Sequence, residues 1–100
     1  MKLGELEELV LISVNVLGGN AYGVPIRKKL EIAGREVTTG ALYVTLERME
    51  EKGMITSREG EPTPERGGRA KIYYRVTDAG VNALKEAEEV RKKLRGNLDK

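Results

Sequence analysis

The chain has no cysteine, no histidine, no tryptophan and no phenylalanine. Without thiols it can build neither a disulfide framework nor thiolate chemistry. Without histidine as well, the usual zinc sites and imidazole-based catalysis have nothing to start from. No metal and no cofactor is expected. The chain also lacks a long hydrophobic run. Its most apolar stretch, LVLISVNVL at residues 9–17, is about half the length a bilayer requires, follows GELEE rather than a basic flank, and is not succeeded by a small-residue cleavage site. It reads as core, and the chain is expected to be soluble and cytoplasmic.

What is present fits one small domain. At 100 residues such a chain buries only roughly two-thirds of its unfolded surface, so a partner subunit would add to its stability. Apolar residues make up 39% and charged residues 34% of the sequence, enough charge to keep most of the surface wet. The net charge of +2 matters less than its distribution. Arg66, Arg69, Lys71 and Arg75 follow one another with no acid between them, whereas Glu47, Glu50 and Glu51 cluster upstream and Glu59, Glu61 and Glu65 line the segment before the basic run.

Periodicity divides the chain into six elements. Residues 3–17 place Leu3, Leu6, Val10, Val14 and Leu17 at helical spacing, and Gly18-Gly19 stops that helix. A second helix fits residues 21–33, with Asn20 as N-cap, Pro25 early enough to cost little, Ile26, Leu30 and Ala33 as its apolar stripe, and Gly34 as its end. The third helix is better marked. Thr38 is its N-cap, Val37 packs on Leu42 as a hydrophobic staple, and Gly53 closes it. Leu42, Leu46 and Met49 share one side of this helix, and Gly40, Val44, Glu47 and Arg48 fall on the other.

MITSRE and KIYYRVT, residues 54–59 and 71–77, alternate as strands do and form a hairpin. Thr77 then caps a last helix on which Val81, Leu84, Ala87, Val90, Leu94 and Leu98 recur every three or four residues. Three helices, a two-stranded hairpin and a closing helix make an α+β, mainly α plan, that of a winged helix-turn-helix. In it the third helix enters the DNA major groove and the hairpin wing lies along the backbone. Residues 1–77 form the DNA-binding part. Residues 78–100 form a helix whose apolar stripe outruns a three-helix core and points to a two-fold dimer, the other reading being that it folds back on its own core.

The sequence TTGALYVTLERMEEKGMI, residues 38–55, followed by GGRAKIYYRVTDAG, residues 67–80, resembles the PadR family of bacterial transcriptional regulators. That family carries a Gly-x-Leu-Tyr recognition helix, a Gly-(Leu/Met)-Ile exit and a basic Tyr-Tyr-Arg-(Leu/Val)-Thr strand. AYGVPIRKKLE at residues 21–31 looks like the Tyr-Gly opening of the family's second helix. The resemblance runs from about Leu6 to Leu94. It implies a homodimeric repressor on a palindromic operator, assembled through the C-terminal region, with Tyr43 as a DNA contact. Val44 stands where many relatives have proline. Many relatives release DNA when a small hydrophobic or phenolic molecule binds between aromatic side chains. This chain lacks the tryptophan and phenylalanine for that arrangement, so any effector is left unknown.

The DNA-binding set expected on these grounds is Thr38, Thr39, Gly40, Tyr43, Val44 and Arg48 on the third helix, with Arg66, Arg69, Lys71 and Tyr73 on the wing. Thr38, Thr39 and Gly40 give an uncharged first turn whose N–H groups can approach a phosphate. Val44 can meet a thymine methyl, and Arg48 can reach a guanine edge or a phosphate. The wing cations act through phosphate neutralisation. Each has an ordinary alternative. Tyr43 can be a half-buried core aromatic, Arg48 can pair with the neighbouring glutamates, and a charged hairpin tip can serve solubility and edge protection alone. A winged helix used as a protein–protein interaction module without DNA binding is the competing function. An enzyme is not expected, because the carboxylates sit at exposed helical spacing without a pocket.

Overall fold

The computed structural model describes residues 3–62 and 70–98. Its order is α1 (Glu5–Leu17), a short 3-10 turn (Gly18–Asn20), α2 (Gly23–Ile32), α3 (Thr39–Glu51), β1 (Ile55–Pro62), β2 (Ala70–Val76) and α4 (Asp78–Leu98). The winged helix-turn-helix plan read from periodicity is the plan observed. α1 to α3 surround a core of Val10, Leu11, Val14, Ile26, Leu30, Leu42, Leu46 and Met49, closed on the hairpin side by Met54, Ile55 and Tyr74. Truncating a fully buried leucine such as Leu46 to alanine costs about 2–5 kcal/mol in cores of this kind.

The caps explain where the helices begin and end. Thr38 Oγ1 accepts the Ala41 N–H at 3.0 Å, and Val37 packs against the core as the staple requires. At the far end Gly53, at φ 76°, turns the chain in a Schellman arrangement: its N–H donates to Glu50 O at 3.0 Å and the Met54 N–H donates to Met49 O at 2.9 Å. Met54 is thereby delivered into the core and β1 starts at once. Thr77 Oγ1 accepts the Gly80 N–H at 3.1 Å and also donates to Gly53 O at 2.6 Å, which ties the start of α4 to the end of α3.

α2 departs from the sequence expectation at both ends. Asn20 is not its N-cap. The glycine pair winds into the 3-10 turn, Asn20 O accepts the Tyr22 N–H at 3.1 Å, and Tyr22 becomes the N-cap with Gly23 as the first helical residue. The short turn consumes the residues a simple helix-stop-helix reading assigns to the cap. Ala33 is exposed rather than part of the apolar stripe, because the helix has already ended at Ile32.

The hairpin is antiparallel, pairing Ile55 with Val76, Thr56 with Arg75, Ser57 with Tyr74 and Arg58 with Tyr73, with an irregularity between Glu59 and Pro62. Pleating sends Ile55, Ser57, Tyr74 and Val76 to one face and Thr56, Arg58, Tyr73 and Arg75 to the other. The first face meets the core and α3, where Ser57 Oγ donates to Glu50 at 2.7 Å. The outer edge of β2 is held as well, since the Tyr74 N–H donates to Ala21 O at 2.8 Å.

Candidate nucleic-acid interface

α3 presents the surface its sequence pattern predicts. Leu42, Thr45, Leu46 and Met49 are buried, and Thr38, Thr39, Gly40, Glu47 and Arg48 are exposed. Val44 keeps 49% of its surface in contact with solvent, a high value for a valine on a helix packed on three sides. Nothing lies within 4 Å of a Cβ placed on Gly40, so the first turn of α3 is open to a close-approaching partner. The N–H groups of that turn, with the helix dipole behind them, make it an anion-seeking end.

Tyr43 is 41% exposed, and its hydroxyl end lies over Gly23, where a side chain of any size would collide with Oη. Gly23 is thus the residue that lets the Tyr43 ring bridge α3 to the first turn of α2. Behind it, burial pushes the Tyr74 phenol above its ordinary value, helped by the nearby Tyr43, Glu50 and Glu47. Tyr74 is therefore a neutral core residue at any physiological pH, while Tyr43 stands half in solvent in front of it.

Lys28 and Lys29 of α2 are exposed, but Arg27 beside them is half-buried, donates from Nη1 to Thr39 Oγ1 at 3.0 Å, and has a buried Nε without a partner among the described residues. Its guanidinium therefore sits beside the first turn of α3. Arg48 leans the other way: its charge helps to hold the Glu7 carboxyl ionised on α1. Lys52, at the end of α3, donates to Glu7 Oε2 on α1 at 2.8 Å. That bond is the main reason the Glu7 carboxyl is held below its usual value; the Gly4 N–H, 3.0 Å from Oε1, is the second.

On the wing, Arg66 and Arg69 lie outside the described residues. Lys71 and Tyr73 are half-buried and converge on Tyr22: Lys71 Nζ sits 4.4 Å from the Tyr22 ring centre, and the Tyr22 and Tyr73 rings meet edge to face at 5.4 Å. Both side chains brace the wing against the start of α2, with the Lys71 charge held over an aromatic face.

A third helix with one exposed face and an open first turn, flanked by a braced hairpin, is a winged helix-turn-helix arrangement, and the sequence comparison decides the family. A sequence profile of the Transcriptional regulator PadR-like family matches residues 11–86. The chain belongs to the PadR family. It is 37% identical over 65 residues to the transcriptional regulator Rv3488 of Mycobacterium tuberculosis, a match covering 65% of this chain and 57% of that one. The match thus spans little more than half of the mycobacterial protein. Among solved structures it resembles a PadR family transcription regulator of Clostridium difficile, with a TM-score of 0.79 at 22% identity over 96% of both chains. It also resembles a PadR family regulator of Eggerthella lenta, with a TM-score of 0.73 at 29% identity, covering 94% of this chain and 78% of that one. The first of these fixes the fold. The family is one of transcriptional regulators, not of enzymes.

The C-terminal helix of this PadR chain divides in two. Ala83 and Leu84 pack against the core, and Val81 and Ala87 beside them are half-buried. Arg91 fastens the crossing by donating from Nε and Nη2 to the two carboxylate oxygens of Glu8, at 3.1 and 2.9 Å. Val90 and Leu94, on either side of Arg91 in sequence, are 58% and 60% exposed, and Ile12 and Val16 of α1 are exposed as well. Leu98 closes the helix. Two grooves of about 400 and 510 Å³ run along either side of α4 where it crosses α1, one lined by Leu3, Ala87, Val90 and Leu94, the other by Ile12, Val16, Val81 and Leu84. Among the described residues no helix is long and apolar enough to cross a membrane.

Sequence reasoning missed Arg27 and Tyr22. Arg27 carried no signal, because a cation on a short helix reads as solvated until the angle between α2 and α3 is known. Tyr22 did carry one: it directly precedes the glycine that opens α2, the place where a ring can pack without obstructing the helix.

Proposed function

We propose that the chain is a cytoplasmic, dimeric, sequence-specific DNA-binding repressor. The observation that carries this reading is the α3 surface: an open, uncharged first turn at Thr38, Thr39 and Gly40, with Val44 exposed one turn further on. Such a helix end fits against phosphates and lets Val44 and Tyr43 reach base edges and backbone. Arg27 supports the same turn from α2 through Thr39. Arg66, Arg69 and Lys71 add phosphate neutralisation from the wing, with Tyr73 keeping it in place.

A single winged helix reads a short half-site, so two copies held at matching spacing gain both affinity and specificity. The exposed apolar side chains of Val90 and Leu94 on one flank of α4, and of Ile12 and Val16 on the other, favour a second copy as the occupant, one helix pair against another across a two-fold axis. Residues 78–100 then serve as the dimerisation helix and residues 1–77 as the DNA-binding part of one structural unit. No cofactor enters the scheme. Binding to the DNA upstream of the protein's own coding sequence tests it. Tyr43→Ala and Arg69→Ala should each weaken that complex while leaving the circular dichroism spectrum unchanged. Unchanged affinity in both would place the contact elsewhere. Steep weakening with added salt separates phosphate binding from an apolar protein–protein contact at the same face.

A further inference from the structure

The face of the hairpin turned away from α3 carries, beside Lys71 and Tyr73, two arginines that the DNA-binding scheme does not use. Arg58 pairs across the strands with Tyr73, and Arg75 lies two residues along β2 on the same face. The two are therefore diagonal neighbours, about 7–8 Å apart at their backbones and within common reach of long side chains. Between this face and the end of α1 opens a cavity of about 410 Å³, with Asn15, Gly18 and Gly19 on one side, Arg58 and Arg75 on the other, and Val14 among the apolar residues of its wall. Its volume lies in the range of small-molecule sites.

The charge of this cavity is unbalanced. No aspartate or glutamate lines it, and among the described residues the ion pairs involve neither arginine. Arg58 lies over the Tyr73 ring at 4.9 Å, a contact that engages the face of the guanidinium rather than its N–H edge. Two guanidinium groups lining one cavity without a counter-charge there repel each other, and a bound dianion offsets that repulsion. The Asn15 side chain can supply one more donor, and the half-buried Val76 an apolar contact for an organic substituent.

We propose that this cavity binds a small phosphate monoester, its phosphate held between Arg58 and Arg75 and its organic part against Val76. Because Arg58 belongs to β1, Arg75 to β2 and Gly18-Gly19 to the turn after α1, such a ligand joins both wing strands to the body of the domain. The ligand would then set the angle of the wing, a regulatory consequence that rests on the DNA-binding reading; the binding site itself does not.

The test is a titration of the full-length chain with glycerol phosphate and with inorganic phosphate, against sodium chloride of equal ionic strength, followed by ¹H–¹⁵N NMR. The expected result is a saturable shift confined to the amides of Asn15, Gly18 and Gly19 and to the Nε–H groups of Arg58 and Arg75. Affinity should fall about tenfold or more in Arg58→Gln with Arg75→Gln, a loss of about 1.4 kcal/mol or more. Gly19→Glu keeps both arginines and has open space for its side chain, nothing lying within 4 Å of a Cβ there; its carboxylate should abolish the phosphate response by occupying the cations. Diffuse, non-saturating shifts, or unchanged binding in Gly19→Glu, would overturn the proposal. So would the same shifts on adding random duplex DNA, which would make the arginines backbone contacts. None of these readings depends on operator recognition, so the two proposals can fail separately.

Discussion

Arg27 is the side chain whose role changes most between sequence and structure. Its guanidinium reaches from α2 to the hydroxyl of the first residue of α3, and its buried Nε has no partner among the described residues. A buried, unpaired donor on a charged group is costly, and a phosphate oxygen arriving at the first turn of α3 is a natural partner for the guanidinium. Arg27→Ala should therefore lower operator affinity by about tenfold, on the order of 1.4 kcal/mol. Arg27→Lys should recover only part of that, because an ammonium keeps the charge but loses the planar fork. Anisotropy titrations of both variants, with thermal melts to confirm folding, would check this. Equal affinity for wild type and Arg27→Ala would reduce the residue to a helix-packing role.

At the scale of elements, α1 and α3 are joined by the Lys52–Glu7 bond, and Glu7 also reaches back to the N–H at the start of its own helix. Because the Glu7 carboxyl titrates below its ordinary value of 4.5 in the fold, the folded state favours its ionised form. The stability it contributes is complete above the unfolded value and is lost as pH falls through the folded one. Glu7→Gln should cost about 1–2 kcal/mol near neutral pH and should flatten the acid limb of stability below about pH 5. Urea melts across pH 3 to 7 would show it; parallel acid limbs in the two proteins would refute it.

The sequence signals behind these elements were uneven for physical reasons. α3 was legible because local chemistry marks it at both ends, with Thr38 as a cap and Gly53 at positive φ. The start of α2 was not, since whether two glycines end a helix or wind a 3-10 turn depends on how tightly Ala21 must meet β2. The outward stripe at Gly40 and Val44 follows from a period of 3.6. The Lys52–Glu7 and Arg27–Thr39 contacts join residues 45 and 12 apart in sequence, and no local pattern encodes them.

For the whole molecule, α4 carries the proposed dimer contact. Its 21 residues extend about 30 Å, and every described side chain from Glu88 to Gly96 is exposed. Leu94→Glu, with Val90 left intact, should shift the protein from dimer to monomer in light scattering at micromolar concentration, with little change in the domain's own helical signal. A dimer that survives this change would place the two-fold axis away from the outer half of α4. The same variant should lose far more affinity for a two-half-site DNA than for a single half-site, because only the former profits from a second copy.

The most direct measurement is selection of bound fragments from the parent genome by the purified protein at about 0.15 M salt, where non-specific binding is already weak. The account predicts recovery of a few sites, each with two related half-sites about one helical turn apart or a multiple of that spacing. Loss of that selection is expected when Tyr43 is replaced by alanine. A recovered pool no different in sequence from the input, for a protein that is folded and binds DNA, would contradict sequence recognition by α3.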